Sequence, residues 1–299
     1  MNGGIKICLL GLGEVGQTLA EHLVGCRLTA WDLRFADATS PPARALRAYG
    51  LPMPRDAMDA VHDAEVVITA VTAAQDYEAA SLVAPGLRSG AFFVDLNSAS
   101  PGLKQSTAAL IEMAGGYYVE AVVMSPIGNK RMASPILLGG PHAEAFLPVA
   151  RRLGFTGTTV FSPVVGLASA TKMCRSVIIK GLEALLTESM LAARYYEVEG
   201  DVLASLDDFF PGQDWPKLAH YLVSRGLLHG TRRAEEMREA AATVAQAGIE
   251  PLMSLACAKR QVWSARHARA MHHENFEDML DSIREEAVRE HKEILHADH

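Results

Sequence analysis

Between residues 5 and 163 the chain repeats one pattern: a short apolar run, then a longer stretch of helical character. The runs are 5–10, 28–31, 65–71, 91–96, 117–124, 135–138 and 158–161, most of them bounded by Gly, Pro, Asp or Ser. Apolar runs of this length predict buried strands. The segments between them are long enough for crossover helices. Strand–helix alternation of this kind predicts an α/β Rossmann-type domain, a mostly parallel doubly wound sheet covered on both faces. Near residue 164 the strand signal stops. Residues 167–198 are good helix formers with few breakers and predict one long helix. A Gly/Pro/Asp-rich loop at 210–215 follows, then predicted helices at 231–246, 251–271 and 275–295. In the last of these, Phe276, Met279, Leu280, Ile283 and Val288 fit one helical face. The expected organisation is an α/β domain over 1–163 and an all-α domain over 164–299.

Composition narrows the class. The chain has 299 residues, 49% of them hydrophobic and 21% charged, with a net charge of −7. That apolar fraction supports a core and argues against general disorder. No run approaches the roughly 20 apolar residues of a membrane span, and the mild negative charge lacks the basic stripe of a nucleic-acid binder. Four cysteines, at 8, 26, 174 and 257, have no metal-ligand spacing and read as inert thiols. The chain passes from Met1 into a strand by residue 5 without a leader pattern, so a cytoplasmic location is expected.

The sharpest local signal is Gly11-Leu12-Gly13-Glu14-Val15-Gly16, directly after one predicted strand and opening a predicted helix at 15–23. That context is what the dinucleotide fingerprint requires. Gly11 permits the tight turn, Gly13 lets a pyrophosphate approach the backbone, and Gly16 lets helix and strand pack closely. The helix N-terminus presents N–H groups to the phosphates. Asp32 ends the second strand about 20 residues after the first glycine, where a carboxylate bonds the ribose 2′-hydroxyl and repels a 2′-phosphate. NAD is therefore the expected cofactor, with NADP kept open by the neighbouring Arg34. Thr72 and Asn97 end further strands on the side where ligands bind and join the expected cofactor contacts; Ser98 is a candidate for the substrate.

The segment 166–176 carries a second signal. On a helix, Lys172, Ser176, Ile179, Lys180, Glu183 and Thr187 share a face, and the other side is rich in Ala, Val, Leu and Met. Partial burial among so many apolar residues would lower a lysine pKa and suit it to proton transfer. Spacing alone also allows a surface lysine.

These motifs together resemble the β-hydroxyacid dehydrogenase superfamily, which includes 6-phosphogluconate and 3-hydroxyisobutyrate dehydrogenases. Gly11 through Gly16 match its GLGxMG turn. Asp95-Leu96-Asn97-Ser98-Ala99-Ser100-Pro101 is similar to its D-x-S-T-x-S-P motif, and Gly166 through Lys172 correspond to its catalytic-lysine motif. The region around His229-Gly230-Thr231-Arg232-Arg233 resembles a less-studied branch whose second domain has no assigned function. The resemblance implies a Rossmann-type dinucleotide-binding domain over 1–163, an all-α substrate and dimerisation domain over 164–299 that builds a homodimer, and hydride transfer between NAD(P) and a small hydroxy acid or its carbonyl, with Lys172 as general acid/base.

Three departures matter. The paired asparagines after the family's lysine are Arg175 and Ser176 here; Ser176 is kept as a catalytic candidate and Arg175 as a substrate anion contact. The D-A-P-V-S-G-G loop reads Glu120-Ala121-Val122-Val123-Met124-Ser125-Pro126, and Pro126 has no N–H, so Ser125, Asn129, Lys130 and Arg131 become candidate anion contacts. The acid seven residues after the lysine in 6-phosphogluconate dehydrogenase is Ile179 here, so enzyme-assisted decarboxylation is not expected. An imine reductase and a non-catalytic dinucleotide-binding interaction protein are the alternative readings. The histidines at 267, 272, 273, 291, 296 and 299 lack metal-site spacing and read as solvated helix and tail.

Overall fold

The computed structural model describes residues 4–23, 25–125 and 130–297, and side chains as far as residue 290. Pro126, Asn129 and His299 lie outside the described residues, as do the side chains of His291 and His296. Contacts divide the chain into two compact units, Met1–Met173 and Cys174–His299.

In the first unit, strands β1 (Lys6–Leu10), β2 (Arg27–Trp31), β3 (Val66–Thr69), β4 (Phe92–Asp95), β5 (Tyr117–Val123), β6 (Ile136–Gly139) and β7 (Thr158–Ser162) form one sheet in the order β2-β1-β3-β4-β5-β6-β7. The pairings from β2 through β5 are parallel; β6 runs antiparallel to β5 and β7 parallel to β6. All seven expected runs are strands, with ends that differ from the expected ones by a residue or two. Continuous apolarity in the central strands has a direct cause: alternate residues enter opposite cores. Ile7 and Leu9 of β1 pack on one side, with Val66 and Ile68; Cys8 and Leu10 pack on the other, with Val67 and Phe93. Helices α1 (Glu14–His22), α2 (Pro41–Ala48) and α6 (Ala143–Arg152) cover the first side through Leu19, Leu46 and Phe146. Helices α3 (Ala57–Val61), α4 (Asp76–Val83) and α5 (Pro101–Met113) cover the second through Val61, Val83 and Ile111. Chain order reverses direction at β1, with β2 on one side and β3 on the other. Ligands in such sheets bind at the carboxyl ends of the strands beside that reversal.

The long helix α7 (Leu167–Tyr195) begins in the first unit and ends in the second. It stops short of the expected 198: Glu197 takes a positive φ of 57°, and a separate helix α8 (Glu199–Ser205) follows. Helix α9 (Trp215–Gln246) starts at Trp215 rather than at 231. Asp214 caps it by accepting from the Lys217 N–H, and a proline sits in its first turn. Gly230, which weakens the helical pattern, is needed inside it, because a Cβ there would lie 2.3 Å from the Gln261 carbonyl of α10 (Leu252–Arg266). The expected 251–271 helix ends at Arg266 and gives way to a 3-10 turn, Ala268–His272. In α11 (Phe276–Ala297), Met279, Leu280 and Ile283 are buried as expected, whereas Val288 is exposed. His267 is also corrected. It is fully buried and bonded to Glu286 at 3.2 Å, because α11 folds back over it.

No described helix is long and apolar enough to cross a membrane. Among the described residues no group of His, Cys, Asp and Glu is placed to hold a metal ion. Burial pushes the Cys8 thiol up to about 12 and the Cys257 thiol to about 11, which keeps both protonated and unreactive.

Candidate functional site

The glycine turn between β1 and α1 shows three different requirements. Gly11 has a φ of +89°, and a Cβ there would meet the Ala70 carbonyl at 2.6 Å. Its N–H donates to the Trp31 carbonyl at 2.8 Å, so the turn is pinned at the ends of both β2 and β3. At Gly16 a Cβ would lie 2.1 Å from the Gly11 carbonyl oxygen, so helix and turn touch through backbone. Gly13 is the opposite case: among the described residues a Cβ there meets nothing within 4 Å. Gly13 therefore guards open space at the helix N-terminus, where first-turn N–H groups lack intrahelical acceptors. A pyrophosphate fits that description.

Asp32 is held rigidly beside this turn. One carboxylate oxygen accepts from the Leu12 N–H at 2.9 Å and the other from the Arg34 N–H at 2.9 Å. Each oxygen retains a second acceptor direction for a ribose hydroxyl. The Arg34 side chain is exposed next to it, as is Thr72 beyond β3. These residues fit a dinucleotide.

The end of β4 is braced by buried charge. Lys104 on α5 meets Asp95 at 2.6 Å, with both side chains shut off from solvent. The Tyr118 hydroxyl donates to Asp95 at 2.7 Å, and burial drives that phenol well above its usual range. Asn97 donates to Asp76 at 2.7 Å and to Thr69 at 3.2 Å, while its side-chain oxygen accepts from the Val71 N–H at 2.7 Å. Its amide thus ties the ends of β3 and β4 together instead of pointing freely at a ligand. Burial first, then the Asp95 charge, pushes the Asp76 carboxyl up to about 7.

The strand end so braced carries Ser98, and Lys172 reaches it. Lys172 Nζ donates to Ser98 Oγ at 2.5 Å, across 74 residues of sequence, with both side chains partly buried. The first turn of α7 is seated just before this contact. Ser169 Oγ donates to the Ala99 carbonyl, and Glu120 on β5 accepts from the Gly166 N–H at 2.8 Å and the Ser169 N–H at 2.7 Å. Glu120, Asp76, Lys104 and Tyr118 were not singled out from sequence. Glu120 did leave a signal, as the one charged residue in an apolar strand.

The remaining candidates have surroundings of their own. Arg131 lies against His22 at the C-terminal end of α1, the end remote from the glycine turn, and Lys130 is exposed. Ser125 is partly buried with a hydroxyl that has no hydrogen-bond partner among the described residues. Within the second unit Arg175 is exposed, and Ser176 accepts from Lys180 at 3.1 Å. Lys180 pairs with Glu236 at 2.6 Å; Glu183 pairs with Arg233 and accepts from Gln261 at 3.0 Å. The polar face of α7 is therefore the buried one over 176–187, except for exposed Ile179.

A family model described as the NAD binding domain of 6-phosphogluconate dehydrogenase matches residues 6–166, and a domain of unknown function, DUF1932, matches 193–264. A conserved hypothetical protein from Sinorhizobium meliloti 1021 is 32% identical, covering 94% of this chain and 96% of that one, with a TM-score of 0.74. The conserved protein MTH1747, described as structurally similar to 3-hydroxyacid dehydrogenases, is 30% identical over 89% of this chain and 98% of its own, with a TM-score of 0.67. Mitochondrial 3-hydroxyisobutyrate dehydrogenase of Homo sapiens is 22% identical over 213 residues, 69% of this chain but only 62% of that enzyme. With a nucleotide-type glycine turn and a family match over more than half its length, the chain belongs to the β-hydroxyacid dehydrogenase superfamily, on the NAD-binding domain of the 6-phosphogluconate dehydrogenase family.

Proposed function

We propose that the chain is an NAD-dependent dehydrogenase of a 3-hydroxyacid-like substrate, or a reductase of the matching carbonyl, with Lys172 as general acid/base. The observation that carries this reading is the 2.5 Å contact between Lys172 Nζ and Ser98 Oγ at the carboxyl end of β4. When bound, the dinucleotide supplies or accepts the hydride. Lys172 handles the proton. As an ammonium it protonates the alkoxide formed on carbonyl reduction; as an amine it takes the hydroxyl proton during oxidation. Ser98 accepts from Nζ and keeps its own O–H for the substrate oxygen.

Asp32 supports NAD over NADP, because a carboxylate fixed by two N–H groups cannot swing away from a 2′-phosphate. Decarboxylation assisted by the protein is not part of the reading. Ile179 stands at the position of the family acid, and Glu183 is already engaged by Arg233 and Gln261. A homodimer completes it. Ile178, Leu182 and Leu185 form an exposed apolar stripe on α7, a surface suited to a second copy.

The test is a hydroxy-acid screen with NAD, run on the wild type and on Lys172→Ala. Turnover that disappears in the variant while NADH affinity persists supports the reading. Equal turnover in both sinks it.

A further inference from the structure

We propose that Glu120 is a positioning residue for Lys172: its buried carboxylate seats the first turn of α7 on the sheet and thereby sets where the ammonium meets Ser98. The inference rests on the reading of Lys172 as the proton-transfer group.

β5 lies between β4 and β6, and Glu120 in it is fully shielded from solvent. A carboxylate in such a place is strongly unfavourable unless its oxygens find donors. Both do. Oε2 takes the Gly166 N–H and Oε1 the Ser169 N–H, groups at the N-terminus of a 29-residue helix, where the helix dipole also favours negative charge. The opposite strand makes room. Gly139 pairs with Glu120 across the β5–β6 ladder, and a Cβ at 139 would lie 2.3 Å from Oε2.

An ordinary helix cap comes from the residue just before the helix and leaves the helix free to shift as a body. Here the cap comes from the sheet, so α7 is registered against β5. Ser169 adds a second tie to the Ala99 carbonyl, one residue beyond Ser98. Lys172 follows Ser169 by three residues, a rise of about 4.5 Å and nearly one turn. The contacts close a ring: Glu120 to Ser169, Ser169 to Ala99, and Lys172 back to Ser98. Moving the Glu120 carboxylate shifts the seat and so the distance from Nζ to Ser98.

Competitive acetylation with acetic anhydride, read lysine by lysine by mass spectrometry across pH, tests this on the full chain without substrate. Exposed Lys217 serves as the internal reference. In Glu120→Gln one N–H loses its acceptor, and in Gly139→Ala the new methyl displaces the carboxylate. Both should change the relative rate and the pH midpoint of Lys172 acetylation several-fold, with Glu120→Asp partly restoring them. In a Glu120→Ala background, Gly139→Ala should add nothing, since the clash is gone. Unchanged Lys172 reactivity in Glu120→Gln and Gly139→Ala overturns the proposal, whatever happens to their melting temperatures. Turnover that survives Lys172→Ala contradicts the functional reading instead, so the two failures are distinguishable.

Discussion

Lys104 and Asp95 meet at 2.6 Å with neither side chain reaching solvent. A lysine on a helix and an acid at a strand end are thereby locked beneath the loop that carries Ser98. Removing one partner leaves the other charge buried and uncompensated. Lys104→Ala should therefore lose about 3–5 kcal/mol of unfolding free energy, measured by urea denaturation. Lys104→Met combined with Asp95→Asn should lose much less, because no lone charge remains.

The neighbouring Asp76 makes stability depend on pH. Its carboxyl is raised to about 7 from 3.8, first by burial and then by Asp95. The folded protein therefore holds a proton that the unfolded chain has released. The stability linked to that proton is complete below about pH 4 and is lost as pH rises through about 7. Asp76→Asn cannot release it. Melting temperature followed from pH 4 to pH 8 should fall more steeply in the wild type than in Asp76→Asn. Parallel curves would show that Asp76 ionises as in the unfolded chain.

Asp32 should set cofactor preference. Asp32→Ser removes the carboxylate proposed to bond the ribose, so NADH affinity should drop roughly 10-fold or more, the scale of a lost charge-assisted hydrogen bond. NADPH affinity should rise or hold, since the repulsion is gone. Titration of both nucleotides into the variant checks this. A parallel loss for both would mean that Asp32 only supports the Leu12 N–H.

How much of this was legible in sequence depends on whether a signal is local. The glycine turn was readable because strand, glycines, helix and Asp32 fall in one short stretch. The strands were readable because both faces are buried. Lys172 and Ser98 stand 74 residues apart, and only the family resemblance joined them. Lys104 was invisible because a lysine in a helix looks like any solvated one until its partner is placed beneath it. Glu120 was overlooked although a lone acid in Tyr118-Val119-Glu120-Ala121-Val122 must find buried donors. The start of α9 was missed because Gly226 and Gly230 imitate breaks. A Cβ at Gly230 would in fact strike α10 backbone.

Hydride transfer at Lys172 requires a bound dinucleotide, and the open space at Gly13 is the proposed seat of its pyrophosphate. Titrating NADH and NADPH, by nicotinamide fluorescence, into the wild type and Gly13→Ala tests it most directly. Among the described residues the new methyl meets no neighbouring atom within 4 Å, so the melting temperature without nucleotide should barely move. NADH should bind the wild type more tightly than NADPH does, and Gly13→Ala should weaken NADH at least 10-fold, a loss of about 1.4 kcal/mol. Undiminished NADH binding by Gly13→Ala, or no binding of either nucleotide by the wild type, would contradict the account.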